Sequence, residues 1–175
     1  MGSEADLRPL AFIAFLTLTV AVVSGELVAG RLVAASRRRR VFGIHRASAI
    51  AGLVFAAAHV ADVVVPRFPT FDLGAVSWAD SWWVVLGLAA AAASVVSLIA
   101  WLSRRAAARS WGTLHLAAYA GFAAALVHGW FSHTGAPTAP EAFVYAATLA
   151  SVVGVGILRW HATANRPARA ASGRI

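Results

Sequence analysis

The chain has 175 residues, of which 60% are hydrophobic and only 13% are charged, and it contains no cysteine. A soluble domain carries about 25% charged residues, so this composition argues against a water-soluble catalytic domain. Without cysteine there is no disulfide framework, no thiolate-bound zinc or iron–sulfur cluster, and no cysteine nucleophile. The composition is that of an integral membrane protein.

Five apolar stretches, taken in chain order, are long enough for membrane-spanning helices, which need ~20 apolar residues. They run from Leu10 to Ala35, Val41 to Val65, Ser81 to Ser103, Ser110 to Ser132 and Ala139 to Trp160. We therefore predict an all-α integral membrane bundle of about five transmembrane helices. Residues 1–9 form an external segment, residues 10–161 the transmembrane domain, and residues 162–175 a basic cytoplasmic tail.

The 15 basic residues are all arginines, and they predict the orientation of the bundle. With the N-terminus outside and the C-terminus in the cytoplasm, every arginine except Arg8 and Arg67 lies on the cytoplasmic side, as the positive-inside rule requires. Membrane topology thus accounts for the net charge of +8, and nucleic-acid binding is not expected. Arginine without lysine, together with abundant alanine, indicates a bacterial genome. We predict a multi-pass protein of the bacterial cytoplasmic (inner) membrane.

Four of the six histidines lie in the second and fourth stretches, which cross the membrane in the same direction. His45 and His115 are therefore expected at the cytoplasmic end, and His59 and His128 toward the outside. Polar groups at such depths are costly and tend to serve a function. Each pair predicts one metal centre between two helices. The alternative is that these histidines only pack or form hydrogen bonds.

Heme suits this arrangement because a six-coordinate b-type heme takes one imidazole on each face. The 14 residues from His45 to His59 rise ~21 Å along a helix, enough to stack two hemes across the membrane. Gly52 and Gly121 lie near the middle of the two histidine spacings, where a missing side chain lets a porphyrin or a neighbouring backbone approach. The sequence thus predicts a di-heme transmembrane domain.

The spacing in the fourth stretch does not fit an ideal helix. His115 and His128 are 13 residues apart, which places them ~140° apart around the axis. The helix therefore needs a kink or a local change of winding, unless the hemes are approached from different sides. His133 is in phase with His115, but it follows Trp130 and falls in the predicted loop Ser132–Pro137. We predict that His128 is the ligand.

Two segments carry a resemblance to a known family: His45-x13-His59 in FGIHRASAIAGLVFAAAHV and His115-x12-His128 in WGTLHLAAYAGFAAALVHGW. They resemble the ferric reductase-like transmembrane domain of ferric reductases and NADPH oxidases, in a stand-alone bacterial form. The unequal 13 and 12 intervening residues are that family's pattern, and WGTLHLAAY looks like its bacterial W-x-x-L-H-x-x-x-Y context.

The resemblance implies two stacked b-type hemes, one on His45 and His115 and the other on His59 and His128. It also implies electron transfer from the cytoplasmic side to ferric iron, oxygen, a quinone or a partner protein outside. Larger members carry a flavin and nicotinamide domain, whereas this chain has no G-x-G-x-x-G fingerprint. Family members commonly have six spans, and this chain has five apolar stretches. We expect no flavin or NAD site here, and a separate donor: a flavoprotein, a ferredoxin-like protein or quinol. The chain also looks like the heme-binding membrane subunit that feeds electrons to a bacterial periplasmic methionine sulfoxide reductase.

Several arginines are candidate partners for heme propionates, because guanidinium groups bind carboxylates with two hydrogen bonds. Arg46 at the inner boundary and Arg67 near the outer level are the predicted cofactor-binding arginines. Further candidates at the inner boundary are Arg104, Arg105, Arg109 and Arg159. The alternative for each is membrane orientation and binding of lipid phosphate.

Two acidic residues are also notable. Glu26 and Arg31 lie five residues apart near the inner end of the first stretch, where they either form an ion pair, contact a quinone headgroup, or snorkel to the interface. Asp62, three residues after His59, either orients that ligand or is simply solvated at the helix end.

Two other functions compete with a ferric reductase-like protein. A quinol-linked cytochrome b subunit also uses paired histidines on alternate helices. A heme-free structural or assembly protein, in which the histidines pack or conduct protons, belongs to a different class. A heme carrier, recognised by readily exchanging heme, is a weaker possibility.

Overall fold

The computed structural model describes residues 8–64, 82–106, 110–132 and 137–164. Every regular element within these ranges is a helix. The helices are α1 (Arg8–Ala29), α2 (Ala35–Val64), α3 (Trp82–Leu102), α4 (Trp111–His115), α5 (Ala117–Phe131) and α6 (Ala139–Ala164). The short α4 and α5 follow one another with only Leu116 between them, and together they form one span.

Five helical segments in the described residues are long and apolar enough to cross a membrane, which confirms the predicted number. The shortest have 21 residues, which corresponds to ~31 Å of rise and matches the hydrocarbon core of a bilayer. Two predicted boundaries are wrong: α1 ends at Ala29 rather than Ala35, and α2 begins at Ala35 rather than Val41, so that it includes the arginine run 37–40. Arginine is a good helix former, and its long side chain reaches water from a helix end.

Hydroxyl groups inside the spans donate hydrogen bonds to backbone carbonyls of their own helix, because an apolar surrounding offers no other acceptor. Thr17 donates to the carbonyl of Ile13 at 2.7 Å, and Ser94 donates to the carbonyl of Ala90 at 2.8 Å. Such polar residues therefore sit in the spans without needing a partner on another helix.

The helices pack as two main pairs, α1 with α2 and α3 with α5. In each pair a glycine allows close approach. A Cβ atom at Gly52 on α2 would lie 2.7 Å from Leu18 Cδ2, and one at Gly121 on α5 would lie 2.8 Å from Ala93 Cβ. The sequence predicted that these glycines admit either a porphyrin or a neighbouring backbone. The structure shows that each lies against a neighbouring helix.

α1 is the central helix. Its Phe15 ring stacks on Phe122 of α5, with centroids 5.9 Å apart, and lies 5.0 Å from the ring of Tyr145 on α6. Apart from glycines, eight residues of the described structure are buried, and five of them belong to α1. The histidine-bearing α2 packs on α1 and only slightly on α3, and within the described residues it makes no extensive backbone contact with α4 or α5.

One end of the bundle gathers the arginines, and we call it the arginine end. Here α1, α3 and α6 finish while α2 and α4 begin. Two contacts define it: Arg159 of α6 binds Glu26 of α1, and the guanidinium carbon of Arg46 on α2 lies 6.0 Å from the ring centroid of Trp101 on α3.

Candidate functional site

The first histidine pair meets at the arginine end. The rings of His45 on α2 and His115 on α4 have centroids 6.2 Å apart and planes at 83° to each other. Both side chains are half-buried. An imidazole nitrogen binds a metal at about 2 Å, so two rings on opposite sides of one ion have centroids about 6 Å apart. The observed separation of the two rings therefore suits two imidazoles that bind one metal from opposite sides.

The second pair lies farther along the same two spans, toward the opposite end. His59 of α2 and His128 of α5 are half-buried, and their imidazoles are close enough to interact electrostatically. The ring of His128 also lies 5.8 Å from that of Trp83 on α3. The structure thus brings His45 and His115 into ring contact and places His59 and His128 within electrostatic range of each other on the same two spans.

The backbone winding changes locally on the fourth span. The Leu116 N–H is shared between the carbonyls of Gly112 at 3.2 Å and Thr113 at 3.1 Å, and Tyr119 N–H donates to the carbonyl of Leu116 at 3.0 Å. The bonds to Thr113 and Leu116 span three residues, as in a 3₁₀ turn of ~120° per residue rather than ~100°. At ~20° of additional rotation per residue, this turn removes part of the ~140° phase difference between His115 and His128.

Two of the four imidazoles are held by the backbone of a neighbouring helix. His45 Nδ1 lies 2.8 Å from the carbonyl oxygen of Ala21 on α1, and His128 Nδ1 lies 2.7 Å from that of Trp83 on α3. A carbonyl oxygen only accepts, so Nδ1 carries the proton in each ring and Nε2 keeps its lone pair. This tautomer is the one that binds a metal through Nε2.

The other two imidazoles lack such a bond. His59 Nδ1 and His115 Nδ1 are buried, and the described structure provides no hydrogen-bond partner for either atom. The His115 ring does stack on Trp111, one helical turn earlier, with centroids 5.2 Å apart and planes 10° apart. Buried polar atoms without a partner are rare in proteins and mark places where a ligand or water binds.

The number of protein side chains available as metal ligands distinguishes a site for a free metal ion from a site for heme. Among the described residues no group of three or more histidine, aspartate or glutamate side chains is suited to hold a metal ion. Two imidazoles are too few for a typical protein-bound zinc, which takes at least three protein ligands. They are the full axial set for a heme iron, whose porphyrin supplies the remaining ligands. The residues present therefore fit heme.

The predicted propionate partners are only partly described. Arg46 lies next to His45 at the arginine end and is exposed, with its guanidinium facing Trp101. Arg104 also stacks on that ring, at 4.7 Å, and donates to the carbonyl of Trp101 at 2.7 Å. Arg67, Arg109 and His133 lie outside the described residues.

Of the three alternatives for Glu26 and Arg31, the ion pair between them is not the one that the structure shows. Arg31 is exposed in the turn after α1, whereas the Glu26 carboxylate accepts hydrogen bonds from Arg159 Nη1 at 3.0 and 2.9 Å and from the Tyr119 hydroxyl. α6 returns to the arginine end beside α1, so the cation comes from 133 residues away. Arg159 is therefore bound to a carboxylate of the protein itself.

The remaining singled-out residues lie at the margins. Asp62 is exposed, one turn after His59, and interacts with it electrostatically. His161 is exposed at the end of α6.

Sequence reasoning missed two glycines that contact His45 and His128. We call these two the anchored histidines, because each is bonded to a backbone carbonyl of a neighbouring helix. A Cβ atom at Gly25 would lie 3.1 Å from His45 Nδ1, and one at Gly87 would lie 2.8 Å from His128 Cε1. Each is an isolated glycine in an apolar helix, which is a signal for close packing. That signal does not say which neighbour approaches.

Comparison of the chain with protein-family models, with curated proteins and with solved structures finds no match. The geometry of the four histidines is therefore the guide to function.

Proposed function

We propose that this protein carries electrons across a membrane through two b-type hemes, one held by His45 and His115 and the other by His59 and His128. The supporting observation is the presence of two cross-helix histidine pairs, at two levels of the same two spans. In each pair one imidazole has its Nδ1 bound to a backbone carbonyl, so its Nε2 is prepared for a metal.

Bound heme would supply reversible one-electron chemistry at each level. The protein's own contribution is to hold the four imidazoles at fixed positions in an apolar bundle. With two histidines holding each heme, an acceptor would receive its electron without binding iron. Ferric iron, oxygen, a quinone or a partner protein are acceptors compatible with such transfer.

The arginines give the orientation of the bundle, and the resemblance to the ferric reductase-like domain implies the direction of transfer. We place the arginine end in the cytoplasm and the N-terminus outside, in accordance with the positive-inside rule, and the membrane is the bacterial cytoplasmic one. His45 and His115 would then hold the heme nearer the cytoplasmic donor. Since we expect no flavin or NAD site in the chain, the donor is a flavoprotein, a ferredoxin-like protein or membrane quinol.

The ferric reductase-like transmembrane domain is the family we propose for this chain. Its unequal spacing, 13 and 12 intervening residues, is that of this chain, and the tightened turn at Leu116 offsets part of the resulting phase difference on the fourth span. The four histidines and their surroundings carry this assignment.

The test is the heme content of the purified full-length chain in mild detergent, measured as pyridine hemochrome against protein concentration. We expect two b-type hemes per chain and one heme in a variant carrying both His59→Ala and His128→Ala. A matched variant, His161→Ala, changes an exposed histidine at the end of α6 and is expected to keep both hemes. Absence of heme after supplementation with hemin would overturn the proposal and favour the heme-free structural protein.

A further inference from the structure

The two anchored histidines are held by the same local arrangement, repeated in two different helix pairs. His45 bonds to the carbonyl of Ala21, and Gly25 follows that residue by four positions on α1. His128 bonds to the carbonyl of Trp83, and Gly87 follows that residue by four positions on α3.

The four-residue interval has a physical reason. In an α-helix the carbonyl of residue i points toward the N–H of residue i+4, so a ring that reaches this carbonyl must lie against residue i+4. A Cβ atom at Gly25 would lie 3.1 Å from His45 Nδ1 and 3.2 Å from His45 Cε1. At Gly87 it would lie 2.8 and 2.9 Å from His128 Cε1 and Nδ1. A methyl group would therefore push either ring away from its carbonyl.

We propose that Gly25 and Gly87 are positioning residues that allow His45 and His128 to bind the α1 and α3 backbones. As a result each site has one anchored imidazole and one unanchored imidazole, His115 or His59. The metal-binding part of this inference rests on the proposed function, whereas the positioning of the two rings does not.

The consequence is a difference in strength between the two axial ligands of each site. A hydrogen bond from the ring nitrogen that does not bind the metal fixes the tautomer and orientation of an imidazole and raises its basicity. Its loss typically lowers metal affinity ~10–100-fold. The anchored ring is therefore the stronger ligand at each level. The inner site is anchored through α1 and the outer site through α3, so the two anchors can be removed independently.

The first experiment measures heme release from each site by transfer to excess apomyoglobin. A background carrying His45→Ala and His115→Ala isolates the outer site, and one carrying His59→Ala and His128→Ala isolates the inner site. We expect Gly87→Ala to weaken the outer site, and Gly25→Ala the inner site, each ~10–100-fold. The matched control is Gly112→Ala, where a Cβ atom meets nothing within 4 Å. Release rates equal to that of the control in both cases would overturn the inference.

The second experiment requires no heme. In the full-length chain with ¹⁵N-labelled histidine, kept heme-free, nitrogen chemical shifts report the tautomer of each ring. We expect His45 and His128 to be protonated at Nδ1, and this preference to disappear in Gly25→Ala and Gly87→Ala, respectively. The same tautomer mixture in all four membrane histidines of the unsubstituted chain would contradict the positioning role. This result is independent of heme content, so failure of the positioning role and failure of the proposed function are distinguishable.

Discussion

Glu26 on α1 and Arg159 on α6 form a bidentate contact in which one guanidinium nitrogen lies 3.0 Å from Oε1 and 2.9 Å from Oε2. The Tyr119 hydroxyl of α5 donates to the same carboxylate. The glutamate side chain is only 8% exposed, whereas that of the arginine is 40% exposed. The contact therefore joins three helices around a buried negative charge.

This asymmetry in exposure predicts an asymmetry between substitutions. Arg159→Ala leaves the Glu26 carboxylate buried without its cation, which we expect to lower the free energy of unfolding by about 3 kcal/mol. Glu26→Gln keeps the shape and a hydrogen-bond acceptor for Tyr119, and the partly exposed Arg159 can turn toward water, so its effect should be smaller. Unfolding by sodium dodecyl sulfate in mixed micelles measures both. Arg105→Ala, an exposed arginine at the same end, is the control and should change little.

The second prediction concerns the two outer ligands. His128 is anchored and His59 is not, so His59→Ala should retain a heme that now binds carbon monoxide, while His128→Ala should lose that heme. Pyridine hemochrome and the carbon monoxide difference spectrum give the two readings. Equal heme loss in both variants would show that the hydrogen bond to the Trp83 carbonyl does not make His128 a stronger ligand than His59.

The third prediction tests the packing of α3 on α5. A Cβ atom at Gly121 would lie 2.8 Å from that of Ala93, so Gly121→Val overpacks this interface, which should reduce stability by about 1–3 kcal/mol. Gly154→Val on α6 is the matched control, because a Cβ atom there meets nothing within 4 Å. If the two variants unfold at the same detergent fraction, α3 and α5 do not meet at this glycine.

The fourth prediction concerns the turn between α1 and α2. Arg31 has a φ of 56° and closes α1 through hydrogen bonds from its own N–H to Val28 and from Leu32 N–H to Leu27. This is the pattern of a Schellman motif, where glycine is usual because a Cβ atom is strained in the left-handed region. Arg31→Gly should therefore raise the unfolding free energy by about 1 kcal/mol. Arg31→Ala removes the same charge but keeps the strain, so equal stability of the two variants would contradict this explanation.

The helices were predictable because their signal is local. An apolar run of bilayer length indicates a span whatever it packs against. The five runs found in the sequence correspond to five helical segments of the described residues that are long and apolar enough to cross a membrane. The pairing of the histidines followed from counting residues along two spans of the same direction. The phase mismatch on the fourth span also indicated a change of winding, although no residue type at Leu116 marks its place.

Contacts between helices were not predictable in this way. The sequence offered Arg31 as one alternative partner of Glu26 because it is near along the chain, whereas the actual partner, Arg159, is decided by how α6 lies against α1. The contacts of Gly25 and Gly87 depend likewise on the register between helices. Periodicity within one helix contains no information about that register.

The separation of α2 from α5 has a consequence for biogenesis. His45 and His59 belong to the α1–α2 hairpin, while His115 and His128 belong to the unit built on α3, and the described parts of α2 and α5 make no extensive backbone contact. If both pairs hold heme as proposed, each cofactor joins one hairpin to the other. α1 already joins the two units through its contacts with α5 and α6, so heme would add a link between α2 and the fourth span. In cells unable to make heme, this chain should be degraded rather than accumulate as a stable apoprotein.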